Sequence, residues 1–188
     1  MNEKIKDGLH TEWYDNGRKE KEGTYKNGKK DGKWTTYYEN GQIHFELNYK
    51  DYTTSYDSVR KKLIVHGKRY VINVWSKDGE LLVKDGNGKW TSYYENGEIE
   101  RERNYKDGKE DGKWTSYYEN GHLMHEGNYK DGELDGKWTS YYENGHLMHE
   151  ENYKDGELDG KKTSYYSAGQ IEKVEEYKDG TLLKETKF

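Results

Sequence analysis

Two histidine pairs are the residues whose type and spacing most invite chemistry. His122-Leu123-Met124-His125 recurs as His146-Leu147-Met148-His149. Clustered imidazoles can hold zinc if enough of them converge on one point. Asp131, Asp135, Asp155 and Asp159 recur before glycine and invite calcium. The EF-hand string is absent, however, and no turn offers enough oxygens at the required spacing. Asp before Gly is ordinary turn chemistry. There is no cysteine, no serine in a recognisable nucleophile elbow, and no glycine-rich phosphate loop before a helix. Paired carboxylates would need a cleft to act as acid and base. We therefore expect no catalytic residue, no metal, no cofactor and no enzymatic activity.

Whether the histidines could meet depends on the elements that carry them. Trp114 and Trp138 are 24 residues apart, as are Gly112, Gly136 and Gly160. The string from Asp111 restarts at Asp135 with one change, Gly127 becoming Glu151. The same frame fits 32–41 and 88–97, and fits the first unit with His10 in the Trp slot. The last unit has Lys162 there, as a polar terminal unit should. Each unit carries two turn signals, Asn-Gly and Lys-Asp-Gly, and between them lie Trp, Thr and Tyr, good strand formers. Sustained helical periodicity is absent. The sequence thus predicts an all-β array of antiparallel hairpins. On strands, His122 and His125 point to opposite faces, and His122 lies roughly 10 Å from His146.

Asn-Gly reads as a two-residue type I′ turn, which fixes a register. Tyr38 then faces Ile43, Thr36 faces Phe45, Trp34 faces Leu47 and Gly32 faces Tyr49. The opposite face takes Lys33, Thr35, Tyr37, His44, Glu46 and Asn48. In the later repeat Trp114 lies across from Gly127, where an indole can cover it. One face is expected to be ring-lined, the other polar. A lone hairpin is marginal, so the units must stack into one continuous twisted sheet, elongated to about 65–70 Å. We read 1–188 as a single repeat domain. Residues 1–50 hold two repeats, 51–87 an enlarged one, 88–180 regular repeats and 181–188 a C-terminal cap.

Trp34 to Trp90 is 56 residues, two periods plus eight, so the frame breaks between them. Asp51 to Ser58 reads as a polar loop, and His66-Gly67-Lys68-Arg69 as the turn of an aliphatic hairpin. A swollen repeat that seals the core is one reading of this segment. The other is a recognition loop built from Tyr52, Tyr56, Arg60, His66 and Arg69.

Charged residues make up 37% of the 188 and apolar ones only 29%, a balance that approaches disorder. Twenty Tyr and six Trp oppose it, since rings can replace missing Leu and Ile. A net charge of −5 argues against nucleic acid and anionic membrane surfaces. No apolar run is long enough for membrane insertion. The chain as it stands is expected in the cytoplasm; removal of a leader would make it a secreted protein.

Gly-x-Trp-x-x-Tyr-Tyr-Glu-Asn-Gly-x-Leu followed by Glu-x-x-Tyr-Lys-Asp-Gly resembles the MORN repeat variant, the repeat that fills the YwqK-family antitoxins of bacteria. The resemblance spans 8–50 and 74–180. It implies a hairpin array that binds a protein partner, and a role as immunity partner of a toxin. The aromatic ladder Trp34, Tyr38, Trp90, Tyr94, Trp114, Tyr118, Trp138 and Tyr142 is the candidate partner-binding face, because partly exposed Trp and Tyr make good anchors. Two alternatives stand beside it. The rings could stack sugars in a cell-surface adhesion module, or the array could be a scaffold, a monomer or weak homo-oligomer joined through its sheet ends.

Overall fold

The computed structural model describes residues 6–57 and 62–188, with side chains described outside 51–68. The described residues are all-β. They hold eighteen strands, every pairing is antiparallel, and none forms a helix. The chain divides into two compact units, Met1–Gly88 with Asp107–Lys109, and Lys89–Lys106 with Glu110–Phe188.

In the first unit β1 (Gly8–Trp13), β2 (Lys19–Lys26), β3 (Lys29–Tyr37), β4 (Ile43–Asp57), β5 (Lys62–Trp75) and β6 (Leu81–Lys84) pair in chain order. The start of β7 (Asn87–Tyr93) then pairs with β6. The second unit takes up β8 (Ile99–Lys106), β10 (Gly112–Tyr117), β11 (Leu123–Lys130), β13 (Gly136–Tyr141), β14 (Leu147–Lys154), β16 (Gly160–Tyr165), β17 (Ile171–Lys178) and β18 (Thr181–Lys187). Each is the ladder neighbour of the next in that order. Three two-residue strands, β9 (Lys109–Glu110), β12 (Glu133–Leu134) and β15 (Glu157–Leu158), follow the Asp-Gly turns.

The two turn signals exchange the roles expected of them. Positive φ at both central residues, the type I′ signature, falls on the second turn: Asn27 at 54° with Gly28 at 71°, and Asp131 at 53° with Gly132 at 88°. The Glu-Asn-Gly end instead closes as a three-residue loop. The Gly41 amide donates to the Tyr38 carbonyl at 2.8 Å, and the Tyr38 amide donates to the Gln42 carbonyl at 2.8 Å. In that loop Gly41 takes the positive φ, 89°, and Asn40 does not. This is a type I turn followed by a left-handed glycine, which adds a bulge.

Asn40 is used for its side chain. Its Oδ1 accepts the Gln42 amide at 2.9 Å, an Asx turn repeated at Asn16, Asn96, Asn120 and Asn144.

The extra loop residue shifts one pair of the register. Thr36–Phe45, Trp34–Leu47 and Gly32–Tyr49 stand as expected, but Ile43 pairs with Tyr37 rather than Tyr38. His44 becomes the bulge residue and leaves the polar face, stacking on Tyr38 with ring centroids 4.1 Å apart. Burial pushes the His44 imidazole down from 6.5 to about 4. Its neutral form is therefore favoured by folding. That contribution is complete above pH 6.5 and is lost as pH falls from 6.5 toward 4. The urea midpoint is expected to drop across that window, and His44→Phe should flatten the drop. An unchanged slope in the variant would place the acid sensitivity elsewhere.

The long hairpin replaces two local expectations. Asp51–Asp57 is not a loop but the second half of β4, and residues 66–69 are not a turn but the middle of β5. Thr53 pairs with His66 and Asp57 with Lys62, after an irregularity between Lys50 and Thr53. Strand propensity in Thr53-Thr54-Ser55-Tyr56 and Leu63-Ile64-Val65 carries the ladder through. The core of this unit is drawn from four strands: Trp34 of β3, Val74 of β5 and Val83 of β6 are almost wholly buried, and Tyr49 of β4 and Val71 of β5 are buried too.

Candidate functional site

The repeats place side chains at recurring slots, and the ring ladder is best read one slot at a time. The Trp slot sits mid-strand, where flanking strands cover it. Trp34 is 1% exposed and Trp90 8%, so neither can anchor a partner; both belong to the core. Trp114 and Trp138 are half-buried, with ring centroids 5.1 Å apart. Only these two indoles of the predicted ladder keep surface to offer.

The second-Tyr slot is a staple between repeats. The Tyr14 hydroxyl donates to the Tyr37 carbonyl at 2.7 Å and that of Tyr38 to Trp75 at 3.0 Å. Tyr94, Tyr118 and Tyr142 do the same to Tyr117, Tyr141 and Tyr165 at 2.6, 2.8 and 2.8 Å. The loop asparagines add a second staple: Asn16, Asn96 and Asn144 Nδ2 donate to the carbonyls of Glu39, Glu119 and Ser167. Tyr118→Phe removes one donor from a half-buried carbonyl. It is expected to cost about 1 kcal/mol. A denaturation midpoint equal to the parent's would show that water replaces the phenol freely.

The histidine positions are occupied structurally. His122 Nδ1 lies 2.8 Å from the Glu143 carbonyl, and His146 Nδ1 the same distance from that of Ser167. His125 and His149 face Ser116 and Ser164 hydroxyls at 3.1 and 3.2 Å, and burial lowers both imidazoles. Among the described residues no group of three or more His, Cys, Asp or Glu could hold a metal ion. Asp159, one of the turn aspartates, accepts from Lys178 Nζ at 2.8 Å, which holds its carboxyl low.

On the polar face a Lys, a Glu and the first Tyr of the next repeat form a recurring triplet. Lys137 and Tyr165 share Glu150, and Lys113 and Tyr141 share Glu126. In the first unit Lys19 and Tyr37 share Glu22. Burial, then the Glu22 carboxylate, pushes the Tyr37 phenol up to about 12.

One contact lay between repeats and was assigned to the wrong ring. Trp114 is the register partner of Gly127, but the indole over that glycine is Trp138 of the following repeat. A Cβ at Gly127 would lie 2.2 Å from Trp138 Cε3. Gly23 lies under Trp34 in the same way. The signal was present in the sequence as Gly127 changing to Glu151 just where Trp changes to Lys162.

Of the proposed recognition residues, Arg60 lies outside the described residues, as do the side chains of Tyr52, Tyr56 and His66. Arg69 is exposed and pairs with Tyr49 across the β4–β5 ladder.

Comparison with known proteins adds one finding. The model of the MORN repeat variant matches residues 6–27, 30–51, 86–107, 110–131, 134–155 and 158–179. Five of the six matches end on the first residue of an I′ turn, whereas 30–51 ends within β4, and the unmatched 52–85 holds the end of the long hairpin and β6. No curated protein matches the chain. With six matched repeats covering more than half of its residues, the chain belongs to the MORN repeat variant family.

Proposed function

We propose that this chain is a non-enzymatic scaffold that binds a protein partner through the ring-bearing face of its second unit, and that the partner is a bacterial toxin which it neutralises. Repeats of this family generally form protein- or membrane-binding scaffolds. The observation that carries the reading is the half-buried pair Trp114 and Trp138, two large rings side by side with His125 and Tyr129 next to them. Such rings offer large contact area at low entropic cost. The toxin assignment rests on the resemblance to YwqK-family antitoxins, and it implies a cytoplasmic site of action.

Co-expression with the product of the neighbouring toxin gene tests it. Growth should be restored, and the two proteins should co-elute. Substituting Trp114 with Ser, with circular dichroism confirming the fold, should break the complex. Failure of both rescue and co-elution removes the toxin assignment. Co-elution that survives the substitution removes the ring face.

A further inference from the structure

The first repeat departs from its successors at two neighbouring slots, Trp13 in place of the first Tyr and Lys19 in place of Ile or Leu, and a cleft lies beside them. Beside the second tyrosine the later repeats differ: His44 stacks on Tyr38, Met124 and Met148 occupy the equivalent position, and Glu100 and Glu172 do so in the other two. The first repeat has Glu20 there, and it lines an open space beside Tyr14. The first-Tyr slot holds Trp13, whose indole has no hydroxyl to join a Lys–Glu–Tyr triplet. It is 58% exposed. Lys19, its register partner, is drawn away to Glu22 at 2.6 Å. The resulting cleft of about 490 Å³ is lined by Trp13, Tyr14, Asp15, Asn16, Glu20 and Glu39.

Its electrostatics have one sign. The carboxylates Asp15, Glu20 and Glu39 line it with two rings and one amide, and no lysine or arginine does. Arg18, the nearest guanidinium in sequence, donates its Nη1 to the Glu39 carbonyl at 3.1 Å. Asn16 donates to the same carbonyl at 3.1 Å, which fixes the wall that carries Glu39. After burial, the charges of Glu20 and Glu39 raise the Tyr14 phenol. An exposed indole face beside carboxylates is the setting in which a weakly hydrated cation is held by ring quadrupole and charge together.

We propose that this cleft binds an organic cation, an alkylated ammonium or a guanidinium, with Trp13 as its ring wall and Glu20 and Glu39 as its counter-charges. The source is either a free small molecule or an arginine side chain of a bound protein, and the chemistry is shared. The site lies between the first two repeats and does not depend on the ring face of the second unit.

The test uses the full chain with choline and with a short Arg-containing peptide as probes, following the indole Nε1–H resonances by NMR. 3,3-Dimethylbutanol, the neutral isostere of choline, is the control. One probe or both should shift the Trp13 resonance saturably, at millimolar concentration on the order expected for a solvent-facing cation–π site. The neutral isostere should bind at least tenfold more weakly. Glu20→Gln with Glu39→Gln should weaken the cation at least fivefold, and 0.5 M salt should weaken it further. Tighter binding of choline points to a small molecule, and of the peptide to a protein side chain. Equal binding of the isostere, no shift from either probe, or binding unaffected by the double substitution each overturns the proposal. A failed toxin rescue leaves these outcomes untouched.

Discussion

Trp34→Ala is expected to cost about 3–5 kcal/mol, a large share of what holds a small domain together. Trp34 is 1% exposed and does four things at once. Its ring covers Gly23, meets Tyr25 edge-on at 5.1 Å and Tyr49 at 6.2 Å, and lies 4.1 Å from the Lys30 ammonium. Its Nε1 donates to the Thr24 carbonyl at 3.2 Å. Removing the indole leaves a cavity over a glycine that has no side chain to collapse into it. It also leaves Thr24 without that donor and Lys30 over empty space. Hydrogen exchange of the β2, β3 and β4 amides should accelerate by orders of magnitude. The exposed Trp13 replaced by Ala should change stability by no more than about 0.5 kcal/mol. Similar losses at both positions would mean that ring burial does not set the stability of this unit.

Gly127→Glu is the second substitution with a large expected effect, and it explains the one difference between the repeats 111–134 and 135–158. Gly127 lies beneath Trp138, and any Cβ there meets the ring. Glu151, at the same slot one repeat later, faces Lys162 instead of an indole, at 2.6 Å. The Glu151 side chain is nearly buried and also receives the Tyr153 hydroxyl at 3.1 Å. These two repeats therefore fill the slot in two ways, Gly under Trp and Glu against Lys, while one repeat earlier Arg103 occupies it and lies over Trp90 at 5.0 Å. Gly127→Glu alone forces the indole out and is expected to cost about 2–4 kcal/mol. Adding Trp138→Lys should recover at least about 1 kcal/mol of the sum of the single losses, since the pair then reproduces Glu151 and Lys162. Strict additivity in that cycle would show that the slots are not coupled. The reverse swap carries the same logic: Lys162→Trp should be tolerated only together with Glu151→Gly.

These two cases mark how far the sequence could be read. Trp34, Leu47, Phe45 and Tyr49 fall on one face in both the expected and the observed register, because alternation along a strand is local. Tyr38 and His44 did not, because one loop residue more or less is decided by side-chain bonding. Asn40 can serve a turn by adopting positive φ or by accepting the Gln42 amide, and the dipeptide Asn-Gly is compatible with both. The ring over Gly127 was misassigned for a related reason. Pairing within a hairpin follows from the turn, but the lean of an indole toward the next hairpin depends on its rotamer and on what that hairpin offers. The candidate binding face was legible as a ladder of rings, whereas which of its indoles keep exposed surface, Trp114 and Trp138, was not. Nothing in the residue types of Trp34 and Trp90 distinguishes them from those two.

The 24-residue period, the all-β class, the two turns per repeat and the division into a ring face and a polar face were set by the sequence alone. Each follows from spacing or from a residue's own conformational preference, and both act over a few residues. Tertiary structure decided the rest: which turn takes positive φ, which tyrosines give their hydroxyls to the next repeat, which indoles are sealed, and where Glu20 lines a cleft. Those outcomes depend on contacts between hairpins. A hairpin carries the groups that make such contacts, but only its neighbour determines whether they are covered or left open.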